Sequence, residues 1–131
     1  DSFRGKNSVL LYFYPRAMTP GCTTQACGIR DSIDQFDQVG AKVLAVSPDT
    51  PEKLKKFVEK EALNFTLLSD VDHAVADSFG AWGLKKFMGK EYMGILRYTY
   101  IIDINGKITH IIKNVKTKTH HQDSLQLISD D

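Results

Sequence analysis

The chain has two cysteines, Cys22 and Cys27, five residues apart, and Thr19 precedes the first by three. A thiol with its ordinary pKa of roughly 8.5 is a weak nucleophile at neutral pH, whereas the thiolate is a strong one. Its surroundings therefore decide its chemistry. Val9 to Tyr14 is a short, β-rich apolar run closed by Pro15, the pattern of a buried strand. Pro20-Gly21 signals a turn. Beyond it Ala26, Ile29, Ile33 and Phe36 recur at helical spacing, with Arg30, Asp31, Asp34 and Gln35 off that stripe. Cys22 is thus expected in or just before the first turn of a helix, at the carboxyl end of a core strand. Unpaired N–H groups and the positive end of the helix dipole favour an anion there. A nearby cation would favour it further, and Arg16, Arg30 and Arg97 are the candidates. The bland alternative is a buried structural cysteine, the ordinary reading of a lone Cys on an apolar helix.

Bulk properties narrow the class. A chain of 131 residues is read as one domain, residues 1–131, with a real core. Lys and Arg number 17 against 16 Asp and Glu, and the charges are interspersed, so neither a nucleic-acid nor a membrane partner is expected. No apolar run reaches the roughly 18 residues of a spanning helix, and no signal peptide is expected. Two cysteines are too few for a disulfide scaffold, which points to a reducing compartment, the cytoplasm.

Further elements follow from period and punctuation. After Gly40, Ala41 to Ser47 reads as a second buried strand. Thr50 and Pro51 open a helix whose apolar face is Leu54, Phe57, Val58 and Ala62, with Lys53, Lys55, Lys56, Glu59, Lys60 and Glu61 as its wet side. Phe65 to Leu68 is a short third strand, and a short helix runs from about His73 to Phe79. Gly80 to Gly94 has no clean period and is read as a long ordered loop, with Trp82, Phe87, Met88, Tyr92 and Met93 as core or lining a site mouth. Arg97 to Asp103 and Lys107 to Lys113 form a hairpin about Asn105-Gly106. A terminal helix from His120 to Ile128 packs Leu125 and Ile128, with His120-His121 as an exposed start. The alternation implies an α/β fold with parallel pairing by right-handed crossovers, βαβαβ then ββα, around a mixed sheet flanked by helices.

The run Pro15-x-x-x-Thr19-x-x-Cys22 resembles the PxxxTxxC signature of peroxiredoxins. The fuller string from Tyr12 to Asp31 is similar to the Q-type branch, the bacterioferritin comigratory proteins. The likeness continues through Asn64 to Asp70, Ala81 to Lys90 and Gly94 to Asp103. It implies a thioredoxin-like fold and a thiol-dependent peroxidase of antioxidant defence, acting on hydrogen peroxide and organic hydroperoxides without a cofactor. By the same resemblance Cys22 is the nucleophile that becomes a sulfenic acid, with Thr19 and Pro15 shaping its pocket. Arg97 is the guanidinium that favours the thiolate and binds peroxide, and Cys27 is the resolving cysteine. Thioredoxin or a similar dithiol is the implied reductant, and a monomer is expected. Family members usually carry an N-terminal hairpin segment before this point, which Asp1 to Asn7 do not spell, so that segment is expected to be lacking here.

Spacing sets a condition on that chemistry. Five helical residues turn about 500° and rise about 7.5 Å, leaving the two Cα atoms about 8.5 Å apart. A disulfide needs less than roughly 7 Å, so a Cys22–Cys27 bond requires the first turns of the helix to unwind. Gly28 next to Cys27 lowers the cost of unwinding. The alternative for Cys27 is a small buried apolar residue. A zinc site drawing on both cysteines and some of His73, His110, His120 and His121 is disfavoured by CxxxxC spacing and scattered histidines. A disulfide reductase would want CxxC, which is missing, and a redox-sensing module on the same fold stays open.

Overall fold

The structure, a computed structural model, describes residues 7–87, 89–113 and 115–129. Five strands form the main sheet: β1 (Ser8–Phe13), β2 (Ala41–Ser47), β3 (Thr66–Ser69), β6 (Thr99–Ile102) and β7 (Ile108–Ile112). They lie in the order β3-β2-β1-β6-β7. β1 runs parallel to β2, and β2 to β3, while β6 is antiparallel to both β1 and β7. β1 is therefore central, and all but its first residue are buried. Residues 1–6, 88, 114 and 130–131, including the expected positions of Asn114 and Met88, lie outside the described residues.

Alternation along β1 sorts its side chains onto two layers. Leu10, Tyr12 and Tyr14 join a core with Ile29, Phe36, Leu54, Phe57 and Ile128. These come from α1 (Pro20–Asp31), α2 (Ile33–Gln38), α3 (Pro51–Glu61) and α5 (His120–Ser129). Val9, Leu11 and Phe13 face the other way, onto Ala76 of α4 (Ala74–Phe79) and onto Ala81, Ile95 and Tyr100. Phe13, Phe36 and Phe57 are almost wholly buried, each worth about 2 kcal/mol of hydrophobic stabilisation. This is the thioredoxin-like α/β arrangement expected from the element pattern.

Four local readings need correction. The helix after Cys22 is broken at Ser32, where the Ser32 N–H bonds the Ile29 carbonyl and the Ser32 carbonyl accepts from Gln35 and Phe36. The apolar stripe hid the break, because Ile33 and Phe36 still point into the core. Ala62 is no part of the α3 face. It is exposed in the left-handed region (φ 51°), and Leu63 takes the buried place.

The stretch from Gly80 to Gly94 is not a loop. It forms the hairpin β4 (Trp82–Phe87) and β5 (Lys90–Ile95), with Gly83 opposite Gly94 and Gly89 at φ 78°. Tyr92 and Met93 are exposed on it, whereas Trp82 is half-buried with its ring stacked 3.7 Å from that of His73. Lastly, His120 is no exposed helix start, being only 1% exposed.

Candidate active site

β1 delivers the chain at Phe13, and the next residues are held in a fixed path. The Tyr14 N–H bonds the Val46 carbonyl. The Ala17 N–H donates to Asp49 Oδ2 at 2.7 Å, an oxygen that also accepts from the Ser47 hydroxyl at 2.8 Å. Asp49 is buried, so one carboxylate at the end of β2 fastens the loop carrying half-buried Pro15 and exposed Arg16. Met18 takes a left-handed φ of 66°, which turns the chain into α1. Thr19 occupies the N-cap without a side-chain cap bond, and its hydroxyl donates instead to the Arg16 carbonyl at 2.9 Å.

Cys22 follows as the third residue of α1, a free thiol 2% exposed. The first-turn N–H groups of a helix have no partners within it, so the thiol sits where backbone dipoles favour negative charge. Gln25, three residues on, shares the helix face of Cys22 and is fully buried.

The three arginines part company. Arg16 is exposed. Arg30 turns to the far end of α1, where its Nε donates to Asp31 (2.9 Å) and its Nη1 to the Glu61 carbonyl (2.6 Å). Arg97 lies in the segment between β5 and β6 rather than opening a strand. The Tyr98 N–H bonds the Leu96 carbonyl at 2.7 Å, which makes Arg97 the centre of a γ-turn. That turn is pinned on both sides, since Leu96 N–H bonds Ala81 and the Tyr98 carbonyl accepts from Phe13 N–H. The guanidinium reaches α1: Nη1 donates to Gln25 Oε1 at 2.9 Å, and a Cβ on Gly21 would lie 3.6 Å from Nη2. The structure thus brings Arg97 and the first turn of α1 together, and it leaves Arg16 and Arg30 apart from them.

Three polar residues escaped the sequence reading. Gln25 joins Arg97 to His120, its Nε2 donating to Nδ1 at 3.1 Å. Thr99 Oγ1 lies 2.9 Å from the other ring nitrogen. Lys85, on β4, is partly buried, and burial lowers its ammonium pKa. The Arg97 guanidinium lowers it further and Cys22 opposes the fall, which sets Lys85 within electrostatic reach of both. A polar residue three places after Cys22 was a usable signal for Gln25; nothing local announced the other two.

Burial pushes the His120 pKa down to about 4, with Asp123 pulling upward and His121 and Arg97 adding to the fall. An unfolded histidine titrates near 6.5, so between these values the unfolded chain binds the extra proton. His120 therefore contributes its full share of stability above about pH 6.5, and that share fades as pH falls toward 4. The loss attributable to it is about 3 kcal/mol. Urea midpoints at neutral and mildly acidic pH should show this slope in wild type and a shallower one in His120→Asn. Equal slopes would refute it.

Cys27 lies half-buried one and a half turns beyond Cys22, also as a free thiol. Its Sγ donates to Glu61 Oε1 at 3.6 Å, so Glu61 is not simply part of the wet side of α3. Burial raises the Cys27 pKa, Arg30 lowers it, and the hydrogen bond to Glu61 raises it again. Gly28 has a packing reason besides its low helix propensity, because a Cβ there would collide with the His121 ring of α5. Among the described residues no three of His, Cys, Asp and Glu are gathered as metal ligands, and no helix is long and apolar enough to cross a membrane.

A thioredoxin-like fold with a buried free thiol in the first turn of the helix after its central strand defines a thiol-dependent redox enzyme. The AhpC/TSA family model matches residues 1–111, and the chain belongs to that family. It is 58% identical over 119 residues to peroxiredoxin Bcp of Escherichia coli strain K12, covering 91% of this chain and 76% of that protein. Against peroxiredoxin Bcp of Bacillus subtilis it is 48% identical over 130 residues, covering 99% and 82%. A Xanthomonas campestris bacterioferritin comigratory protein, solved in a study of its alkyl peroxide reduction, superposes with a TM-score of 0.90 at 31% identity, over 95% of this chain and 80% of that one. A Xylella fastidiosa PrxQ C47S mutant gives a TM-score of 0.92 at 29% identity, over 98% and 79%. The recognition drawn from Pro15, Thr19 and Cys22 holds: the chain is a thiol-dependent peroxidase.

Proposed function

We propose that Cys22 is the peroxidatic nucleophile, and that one observation carries this assignment: its free thiol stands in the first turn of α1, against which the Arg97 guanidinium is held. The thiolate attacks one oxygen of R–O–OH along the O–O bond. An S–O bond forms, the O–O bond breaks, and Cys22 becomes a sulfenic acid while RO⁻ leaves and takes a proton as ROH. Arg97 donates to the oxygens as charge moves onto the leaving group. The Thr19 proton is committed to the Arg16 carbonyl, so its oxygen accepts the peroxide O–H. Pro15 walls the pocket and offers no N–H that competes for substrate. Hydrogen peroxide and organic hydroperoxides share the O–O bond this chemistry needs.

Resolution follows by Cys27. Its thiol attacks the sulfenic sulfur, the Cys22–Cys27 bond forms and water leaves. Both cysteines lie on one continuous helix, so α1 must first unwind over its opening turns. The far end has anchors that limit this: Arg30 to the Glu61 carbonyl and Asn64 Nδ2 to the Arg30 carbonyl at 3.2 Å. Unwinding therefore costs Cys27 its Glu61 contact but leaves those bonds in place. A cytoplasmic dithiol, thioredoxin by family likeness, returns the disulfide to thiols, and the enzyme works as a monomer.

The test is a free-thiol count on reduced protein after one equivalent of hydrogen peroxide. Wild type should lose both thiols quickly and stay monomeric. Cys27→Ser should lose its remaining thiol at the wild-type rate yet form no intramolecular disulfide. If wild type keeps both thiols for hours, the assignment fails; if Cys27→Ser yields a disulfide-linked dimer at full turnover, resolution is intermolecular and Cys27 is structural.

A further inference from the structure

We propose that His120 is a positioning residue for peroxide reduction, fixing through Gln25 and Thr99 where the Arg97 guanidinium stands beside α1. This rests on the assignment of Cys22 and Arg97 above. Nothing in the sequence of α5 suggests such a role, because its contact with the site is made in three dimensions.

The two ends of the Gln25 amide play opposite parts. Gln25 Oε1 accepts from Arg97 Nη1, and Gln25 Nε2 donates to His120 Nδ1. An amide NH₂ has donors only, so Nδ1 must be an unprotonated acceptor. The ring proton then lies on Nε2 and is donated to Thr99 Oγ1. Every group in the chain Arg97–Gln25–His120–Thr99 has one consistent polarity. Were Nδ1 protonated, Gln25 would have to turn its carbonyl toward His120 and present its NH₂ to a cation, and the Arg97 contact would be lost.

Burial fixes this state. Gln25 and Thr99 are fully buried, the ring is 1% exposed, and Tyr12 meets the imidazole edge-on at 5.1 Å. The depressed pKa of His120 keeps the ring neutral throughout the physiological range. The titratable groups that act on it are Arg97 across the site and Asp123 and His121 on α5 itself. The imidazole also grips two structures at once. Gln25 belongs to α1, one turn past Cys22, while Thr99 starts β6 two residues after Arg97. His120 thus sets the helix that bears the thiol against the segment that bears the cation. A shift of a few tenths of an ångström between them would misdirect the donors at the peroxide oxygens.

The test uses the full reduced chain and the second-order rate of thiol loss with hydrogen peroxide. His120→Phe keeps the ring shape without either nitrogen, and His120→Asn restores an acceptor near Nδ1. His120→Phe should slow the reaction roughly ten- to a hundredfold, and His120→Asn should recover most of it. In an Arg97→Met background His120→Phe should cost no further rate, since residues acting through one contact are not additive. Circular dichroism reports folding, and if His120→Phe does not fold, the isosteric Thr99→Val with Thr99→Ser as its rescue reads the same chain of bonds. A wild-type rate in His120→Phe, or in Thr99→Val where that variant stands in, would overturn the proposal. So would an equal loss with and without Arg97, which marks a merely structural role. If Arg97→Met itself matches wild type, or Cys22→Ser still reacts, the site assignment falls first and the proposal with it.

Discussion

Cys22→Ser should abolish peroxide consumption, a loss on the order of 10⁶-fold, as when other enzymes lose their nucleophile. Serine fits the space, but its hydroxyl carries almost no oxyanion at neutral pH and has no stable oxidised state equivalent to a sulfenic acid. Cys27 cannot stand in for it. That thiol is held beside Glu61, away from the Arg97 guanidinium, and burial keeps it toward the neutral form. The variant should fold, since it exchanges one small side chain for another in a site 2% exposed, at a stability cost of about 1 kcal/mol for a buried hydroxyl. Peroxide disappearance in the presence of excess dithiol measures the effect, with a thermal melt as control. Peroxide turnover persisting in Cys22→Ser would transfer the chemistry to Cys27 and undo the proposed mechanism.

That experiment addresses what the sequence made most legible. The strand, turn and helix around Cys22 are encoded locally, by Pro15, Pro20-Gly21 and the apolar stripe, so local reasoning places the thiol correctly. The same holds for β2, for the Thr50-Pro51 start of α3, whose hydroxyl accepts from the Lys53 N–H, and for the turn at Asn105-Gly106, where Gly106 has φ 84°. What stayed hidden was set by tertiary contacts. β4 and β5 show no alternation because Gly83 pairs with Gly94 and Leu84 and Met93 face solvent together, leaving no apolar face to read. His120 sits beside a second histidine at a polar helix start, and the groups that meet it in its buried place, Gln25 and Thr99 at 95 and 21 residues away in sequence and the Tyr12 ring, are remote along the chain. Among the three candidate arginines, Arg97 was singled out by the family's pattern rather than by its sequence neighbours. The placement of its backbone comes from a γ-turn whose anchors lie on Ala81 and Phe13.

Arg97→Met should slow oxidation of Cys22 roughly a hundred- to a thousandfold, the usual effect of deleting a donor aimed at developing negative charge. Among the described residues Gln25 takes one of the five guanidinium N–H groups, and the proposed mechanism directs others to the thiolate and the peroxide oxygens. Methionine has comparable length but no charge and no donor. Arg97→Lys should fall between wild type and Arg97→Met, because an ammonium restores the charge without the fixed fork that spans two adjacent oxygens. Two competing accounts separate here. If Arg97 served only to hold Gln25, and so to brace α1, Arg97→Met would lower the melting temperature and leave the rate constant for hydrogen peroxide intact. If the guanidinium acts on the reacting atoms, the rate falls as well, the lost charge-assisted bond to the buried Gln25 oxygen costing about 2 kcal/mol of stability under either account. Stopped-flow thiol loss with hydrogen peroxide and with an alkyl hydroperoxide distinguishes them. An unchanged rate constant with either substrate removes Arg97 from the chemistry, and an equal loss with both places its action at the O–O bond the two substrates share.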